Sequence, residues 1–225
     1  MKITLEKGQR LFFSSDSHYS HSNLCRPISK WGKTDSDGVF HVDVKSTRDF
    51  KSLDHMNDTI VNNINSMVGE NDILVHLGDW SFGGFENIQE FRSRILCKNV
   101  HLILGNHDHH IERDKGGVKD LFASVNHYAV LDIRKPDKDE VKKYSFVVCH
   151  FPIASWDNMS AGKMHLHGHV HLSADKKIAE GRAMDVGMDG NNMIPYSMEE
   201  IISLLKSRPV KRLTLPSDHH ETGER

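Results

Sequence analysis

Short apolar runs that end in polar residues recur along the chain, and they predict most of its β-strands. An apolar run of about four to eight residues bounded by turn-forming residues is typical of a buried strand. The runs are RLFFSS (10–15), DILVHL (72–77), VHLILG (100–105), VNHYAVLDIR (125–134), KYSFVVCH (143–150), KMHLHGHV (163–170) and AMDVGMDG (183–190). The hydrophobic pattern therefore predicts six strands, with 183–190 as a candidate seventh.

Helical spacing of apolar residues separates the early strands. Residues 47–67 predict a helix with Ser46 or Thr47 as its N-cap and Gly69 just past its end. Residues 86–97 and 197–207 predict two further helices. The polar stretch 26–43 predicts a long loop, and loops of this length in compact domains are often functional.

The order of these elements predicts an α/β fold. Strands that alternate with helices indicate βαβ units and a partly parallel sheet, whereas the closely spaced later strands indicate antiparallel pairing. A mixed sheet, or two packed sheets flanked by helices, accommodates both patterns. A chain of 225 residues suits one domain, which we place at 1–215, with 216–225 predicted to be a disordered tail.

Composition and charge narrow the class of protein. Hydrophobic residues at 37% and charged residues at 27% are ordinary for a globular protein. The net charge of −2 disfavours a broad basic surface that binds duplex nucleic acid. The segment MKITLEKGQRLFF has no long apolar stretch, so we expect neither a signal peptide nor a membrane span.

The three cysteines indicate a reducing compartment. Cys25, Cys97 and Cys149 are odd in number and widely spaced, which argues against a disulfide framework. No pair forms a CxxC motif, so a thiolate zinc site is not expected. We therefore expect a cytoplasmic location.

Residues with metal-binding chemistry repeatedly follow the predicted strands. In open α/β sheets, ligands bind beyond the carboxyl ends of the strands, so these side chains are expected to converge. They are Asp16, His18, Asp79, Asn106, His107, His150, His169 and His171. In the segment HLHGHVH, alternation along a strand would turn His169 and His171 to one face. His165 and His167 would then support them.

The mixture of donors predicts the kind of ion. Two carboxylates, an amide oxygen and several imidazoles without a thiolate suit Mn, Fe, Co, Ni or Zn. Seven or so ligands are too many for one ion, so a pair of ions is implied. Asp79 stands alone after a central strand and is the candidate for a bridging carboxylate.

These residues, in this order, resemble a known motif set. Asp16-x-His18, Gly78-Asp79, Gly105-Asn106-His107-Asp108, His150 and Gly168-His169-x-His171 are similar to the motifs of the calcineurin-like metallophosphoesterases, over roughly residues 11–190. The resemblance implies a four-layer α/β/β/α sandwich, with two mixed β-sheets flanked by helices. It also implies a hydrolase of phosphate esters that carries two divalent metal ions, Mn first and Fe, Zn, Ni or Co as alternatives.

The resemblance also implies a role for each motif residue. One ion would be held by Asp16, His18, Asp79 and His171, and the second by Asp79, Asn106, His150 and His169. Two such ions activate water for in-line attack on phosphorus. His107 would contact the substrate phosphate or protonate the leaving group, and Asp108 or another carboxylate would orient it.

Departures from the family pattern bear on the substrate. The Ser/Thr phosphatases of the family carry GDxVDRG and GNHE, where this chain has GDWSFGG and GNHD. The missing arginine would bind phosphate in a bidentate manner, so a protein phosphatase of that type is disfavoured. The chain is more similar to small bacterial or phage single-domain phosphoesterases, in which DxHxxH, here Asp16, His18 and His21, precedes a long loop.

The expected substrate is a nucleotide-type or other small phosphodiester. A single-strand or end-directed nuclease and a phosphomonoesterase remain alternatives within enzymes. A metal-dependent module that binds phosphorylated ligands without turnover is the alternative outside them. The expected partner is a phosphorylated small molecule or nucleotide, with nucleic acid possible as substrate and no membrane partner; no feature indicates an oligomeric state.

Candidate substrate contacts lie close to the motifs. His21 either faces substrate or is a surface histidine, and His109 either contacts phosphate or belongs to a solvated loop. Trp31, Trp80 and Trp156 are candidates for stacking on a base or ring, although burial is the commoner fate of tryptophan. Of these we select His21, Trp80 and His109 as substrate contacts.

Overall fold

The structure, a computed structural model, describes residues 1–138, 140–172, 176, 178 and 180–212. Within these ranges the predicted α/β fold with two mixed sheets and helices is confirmed. The strands are β1 (Lys2–Thr4), β2 (Leu11–Ser14), β3 (Gly32–Thr34), β4 (Phe40–Val42), β5 (Ile73–His76), β6 (Asn99–Ile103), β7 (Ser124–Asn126), β8 (Tyr128–Asp137), β9 (Glu140–Cys149), β10 (Met164–His167), β11 (Ala183–Asp185) and β12 (Tyr196–Ser197). The α-helices are α1 (Leu53–Met67), α2 (Phe85–Arg94), α3 (His109–Glu112) and α4 (Met198–Lys206). The tail predicted at 216–225 lies outside the described residues.

Sheet I carries most of the strand ends that matter for the site. Its order is β12-β2-β5-β6-β7, and β2, β5, β6 and β7 run parallel while β12 is antiparallel. Parallel strands place their carboxyl ends at one edge of the sheet. The segments that follow β2, β5 and β6 therefore begin side by side.

Sheet II has the order β1-β8-β9-β10-β11. The antiparallel pairing predicted for the later strands is confirmed for β8 and β9, which pair along their whole lengths. It is wrong for β10 and β11, which run parallel to β9. The carboxyl ends of β9 and β10 consequently lie at a common edge of this sheet.

The two sheets pack face to face around the main core. Phe13 of sheet I meets Phe146 of sheet II with ring centroids 5.4 Å apart, and Val75, Val148 and Leu166 are fully buried in the same cluster. Full burial of each such side chain contributes about 1.5–3 kcal/mol. This core fixes the sheets relative to each other and thereby brings their strand ends together.

The outer faces of the sheets are covered unequally. Helices α1 and α2 pack on sheet I through residues such as Met56, Ile60 and Phe91. The outer face of sheet II is covered by a loop with a short 3₁₀ turn, from which Trp156 and Met159 pack on β9 and β11. The fourth layer of the sandwich is thus thinner than the helical layer over sheet I.

Element boundaries differ from the predictions where local turns compete. Helix α1 is capped by Ser52, whose side chain accepts a hydrogen bond from the backbone N–H of His55. The predicted caps are wrong because Ser46 and Thr47 instead donate their hydroxyls to Asp43. The predicted loop 26–43 contains the exposed hairpin of β3 and β4.

Among the described residues, no helix has the length and apolarity needed to cross a membrane.

Candidate metal centre

Five of the predicted ligands have left-handed backbone conformations. These residues are Asp16 (φ 56°), His18 (φ 48°), Asp79 (φ 54°), His169 (φ 73°) and His171 (φ 49°). Such conformations cost about 1–3 kcal/mol each outside glycine, and they cluster at functional sites. The expectation that His169 and His171 extend a strand is wrong, because β10 ends at His167. Tight turns, rather than strand alternation, aim both imidazoles at the site.

The first donor group consists of Asp16, His18 and His171. The Nε2 atoms of His18 and His171 lie 3.2 Å apart. Asp16 Oδ1 lies 3.8 Å from Nε2 of His18 and 3.6 Å from Nε2 of His171. Two ligands about 2.1 Å from a common ion are about 3–3.4 Å apart. The three atoms are therefore spaced close to the ligands of a single ion.

The second donor group consists of Asn106, His150 and His169. Asn106 Oδ1 lies 3.1 Å from Nε2 of His150 and 2.9 Å from Nδ1 of His169. The group combines residues that follow β6 of sheet I with residues that follow β9 and β10 of sheet II. Packing of the two sheets therefore assembles it.

Asp79 lies between the two groups. Its Oδ2 is 3.6 Å from Nε2 of His18 and 3.5 Å from Nε2 of His150. Asp16 also offers an oxygen to a set with Asp79 and His150, whose donor atoms all lie within 4.8 Å of one another. The structure thus brings together all seven ligands expected from the sequence.

Hydrogen bonds to the remote ring nitrogens orient two of the histidines. Nδ1 of His150 lies 2.7 Å from the Leu77 carbonyl, to which it donates, so that Nε2 presents a lone pair to the site. Nδ1 of His171 lies 2.7 Å from Asp189 Oδ2. Partners of this kind fix the tautomer and raise the basicity of metal-bound histidines.

A buried ion pair behind the first group is absent from the sequence predictions. Arg48 donates from its side chain to the carbonyl oxygens of Asp16 and Ser17 and forms a bidentate pair with Asp189. Burial raises the pKa of Asp189, but Arg48 and His171 outweigh it and hold that pKa well below its usual value. Burial lowers the pKa of His171, but Asp189 and Asp16 outweigh it and raise that pKa.

Asp108 has a different position from the one expected. Its carboxylate accepts hydrogen bonds from the backbone N–H groups of Asp79, Trp80 and Gly105, at 2.8–2.9 Å. Burial raises its pKa to about 7, although these N–H groups lower it. Both oxygens are engaged with the backbone. The prediction that Asp108 orients the His107 ring is therefore corrected: it joins the loops after β5 and β6.

His107 lies beside the donor groups without belonging to them. Its backbone N–H donates to Asp79 Oδ1 over 2.9 Å, and its half-buried ring is centred 5.4 Å from that of His18. The ring lines two cavities, one of about 520 Å³ and one of about 190 Å³. A molecule in either cavity would be in reach of the imidazole.

The predicted substrate contacts fall in three environments. His21 is buried in the wall of the larger cavity, and burial lowers its pKa to about 4, so the ring is neutral at pH 7. His109 is exposed and lines the smaller cavity. The prediction for Trp80 is wrong: its side chain is fully buried and packs against Phe91 and Phe122 in the core below sheet I. The tryptophan exposed at a cavity is Trp31.

Two glycines of the motifs allow close approach to the carboxylates. A Cβ at Gly105 would lie 2.3 Å from Asp79 Oδ1, and one at Gly168 would lie 2.4 Å from Asp16 Oδ2. Any side chain at either position would displace the carboxylate that it approaches. The glycines of GNHD and GHVH are thus required by the site itself.

Comparisons with known proteins support the fold. No family model matches the chain. It is 25% identical over 209 residues to the uncharacterized protein MJ1445 of Methanocaldococcus jannaschii, an alignment that covers 91% of this chain and 96% of the relative. The crystal structure of AQ665, a protein of unknown function from Aquifex aeolicus, superposes with a TM-score of 0.57 and 20% identity, covering 87% of this chain and 99% of that one. The chain therefore shares its fold with the Aquifex aeolicus protein.

Proposed function

We propose that this chain is a hydrolase of phosphate esters that uses two divalent metal ions and acts on a nucleotide-type or other small phosphodiester. The observation that carries the proposal is the position of Asp79 Oδ2, 3.6 Å from His18 Nε2 and 3.5 Å from His150 Nε2. One carboxylate oxygen shared by two donor groups is the arrangement that a two-metal site needs. The resemblance of the motifs to those of the calcineurin-like metallophosphoesterases supports the same activity.

The donor atoms fit the proposed ions. Oxygen and imidazole nitrogen without thiolate suit Mn, Fe, Co, Ni or Zn, and we propose Mn first. One ion would be held by Asp16, His18, Asp79 and His171, and the other by Asp79, Asn106, His150 and His169. Such ions, when bound, offset charge on the phosphoryl oxygens and activate water.

His107 supplies the proton chemistry in this proposal. Its ring is half exposed, next to the first donor group, and lines both cavities. An imidazole in this position donates a hydrogen bond to a phosphoryl oxygen and gives a proton to the leaving oxygen. His18 and His171 belong to the first donor group, so this role falls to His107.

Two cavities that meet at His107 favour a diester over a monoester. A phosphodiester carries two ester arms, and each cavity offers room for one of them. A monoester would use one cavity and leave the other to solvent.

The unpaired Cys25, Cys97 and Cys149 support the further proposal of a cytoplasmic location.

Turnover of two model substrates tests the function. We expect protein supplied with Mn to hydrolyse bis-p-nitrophenyl phosphate faster than p-nitrophenyl phosphate. The reverse order would identify a phosphomonoesterase, and degradation of labelled single-stranded oligonucleotides at low protein concentration would identify a nuclease. Binding of two ions without turnover of any of these substrates would indicate the phospho-ligand binding module instead.

A further inference from the structure

The larger cavity has an aromatic wall that the proposed chemistry does not require. It holds about 520 Å³, within the range of small-molecule sites, and extends from His18, His107 and His171 to Trp31 and Lys45. The end at the donor groups is polar and suited to a phosphate. Trp31 and Lys45 also line the cavity, and a bare phosphate at the donor groups does not need them.

Trp31 is held in place although its side chain is exposed. Trp31 is 39% exposed to solvent. Its backbone N–H donates to Ser29 Oγ over 3.1 Å, and its carbonyl accepts from the N–H of Asp43 over 2.9 Å. The bond from Asp43 joins the two ends of the β3–β4 hairpin. A large aromatic side chain exposed on a fixed backbone is a preorganised surface for stacking.

The aromatic wall continues from Trp31 towards His107. The Trp31 ring is centred 5.4 Å from the ring of His21, which lies 4.0 Å from that of Phe82 and 6.3 Å from that of His107. Phe82 lines the smaller cavity, which His107 also lines. A flat ring in the larger cavity would therefore face aromatic surface while its phosphate lay at the donor groups.

The charges at the cavity favour a polar ring over a plain hydrocarbon. The guanidinium of Arg48 is neutralised by Asp189, so it contributes little net charge. Lys45 is exposed at the rim, where its ammonium can donate hydrogen bonds. Nucleobases combine a flat face for stacking with acceptors along the edge.

We propose that the larger cavity binds the nucleoside arm of a nucleotide-type phosphodiester, with its base stacked on Trp31, and that the smaller cavity receives the second ester arm. The proposal rests on the function proposed above, because it uses the donor groups as the phosphate site. It makes Trp31 the residue that selects nucleoside phosphates over phosphates without a base.

Binding of two ligands that differ only in the base tests this directly. Calorimetric titration of the Mn-loaded protein with adenosine 5′-monophosphate and with ribose 5-phosphate measures what the base contributes. We expect adenosine monophosphate to bind about tenfold more tightly, the scale of one base–aromatic stack. Trp31→Ala should abolish the difference, and Trp31→Phe should keep most of it.

Phe40→Ala is the matched control, because Phe40 is an exposed aromatic residue of the same hairpin that does not line the cavity. It should keep the wild-type preference. Equal binding of the two ligands by the wild type, an unchanged preference in Trp31→Ala, or the same loss in Phe40→Ala would each overturn the proposal. Hydrolysis of bis-p-nitrophenyl phosphate is measured in parallel: where it persists, the proposed function stands without the base site, and where it is absent, both fail.

Discussion

Asp79 is the residue on which both donor groups depend. Its substitution by asparagine keeps the shape of the side chain but removes the charge and one of the two acceptor oxygens. We expect Asp79→Asn to bind one Mn or none per chain, where the wild type binds two, and to lose at least about 100-fold in diester hydrolysis. Metal content after gel filtration, measured by plasma mass spectrometry, checks the first result.

The control for this substitution is Asp132→Asn, at an exposed aspartate of β8 whose carboxylate accepts a hydrogen bond from Ser145. It removes one negative charge from sheet II at a residue that belongs to neither donor group. Two ions should remain bound. Retention of two ions by Asp79→Asn as well would contradict a bridging carboxylate.

His107 is expected to separate turnover from metal binding. His107→Ala removes the proposed proton donor but none of the donor atoms, so two ions should still bind. Hydrolysis of a dinucleotide, whose alkoxide leaving group needs a proton, should fall by about 100- to 10,000-fold, the usual contribution of a general acid. His127→Ala, at an exposed histidine paired with Glu112, should leave the rate unchanged. A rate within threefold of the wild type for His107→Ala would remove that histidine from the mechanism.

At the scale of residues, the sequence predicts which side chains meet but not what supports them. Asp16, Asp79 and Asn106 directly follow apolar runs, so their place at one edge of a parallel sheet is inherent in the pattern. Arg48 and Asp189 lie 141 positions apart, and no periodicity relates them. Trp31 and Trp80 likewise differ only in tertiary packing, which decides that one is exposed and the other buried.

At the scale of elements, the loops after the strands are built around close contacts. The loop after β6 passes so near Asp79 that a Cβ at Gly105 would lie 2.3 Å from Oδ1. We expect Gly105→Ala to displace this carboxylate and to weaken Mn binding at least about tenfold, the lower end of losses seen when the support of a metal ligand is removed. Far-ultraviolet circular dichroism should remain that of the wild type, and calorimetric titration with Mn measures the affinity.

Gly8→Ala distinguishes a steric effect from backbone strain. Gly8 has a φ of 86° but no atom within 4 Å of an added Cβ. Its substitution should lower the free energy of unfolding by about 1–2 kcal/mol and leave Mn affinity intact. Equal weakening of Mn binding in both variants would show that lost stability, rather than the contact with Asp79, is responsible.

Element boundaries were less predictable than element types. The helical spacing of apolar residues correctly predicts α1. The start of the helix depends on whether the side chain of Ser46 or of Ser52 accepts a hydrogen bond from a backbone N–H, and local turns decide this. The segment HLHGHVH reads as one strand because histidine and apolar residues alternate. The chain instead leaves β10 after His167, since Gly168 must pass next to Asp16.

At the scale of the whole molecule, the sandwich is the feature that no single segment contains. Alternation of strands and helices predicts a partly parallel sheet, and four of the five strands of sheet I run parallel. In sheet II, β1 pairs with β8, β10 pairs with β9 and β11 pairs with β10, and hydrophobic pattern alone does not specify these neighbours. The second donor group needs both sheets. The strand-end positions of its residues predict that they converge, but not that two separate sheets supply them.

Burial of neutral histidines makes the stability of this sandwich depend on pH. His165 is fully buried in β10, where its Nδ1 donates to the Val147 carbonyl. Burial, with the nearby His167, lowers the pKa of His165 from 6.5 to about 4. Above pH 6.5 the ring is neutral in both the folded and unfolded chain. Between pH 6.5 and 4 the unfolded chain takes up the proton first, so stability falls as pH falls; below pH 4 no further loss occurs.

His165→Gln isolates this contribution, because glutamine hydrogen-bonds but does not titrate in this range. A shift from 6.5 to about 4 corresponds to about 3 kcal/mol. Relative to His165→Gln, the wild type should therefore lose up to about 3 kcal/mol of unfolding free energy between pH 7 and 4.

Urea unfolding of metal-free protein in a chelator measures this difference without the release of ions that acid also causes. Because Asp16 and Asp108, whose pKa values burial raises to about 6 and 7, oppose the trend equally in both proteins, they cancel from the comparison. If the unfolding free energies of the wild type and His165→Gln differ by a constant amount over this range, His165 keeps its ordinary pKa in the folded chain.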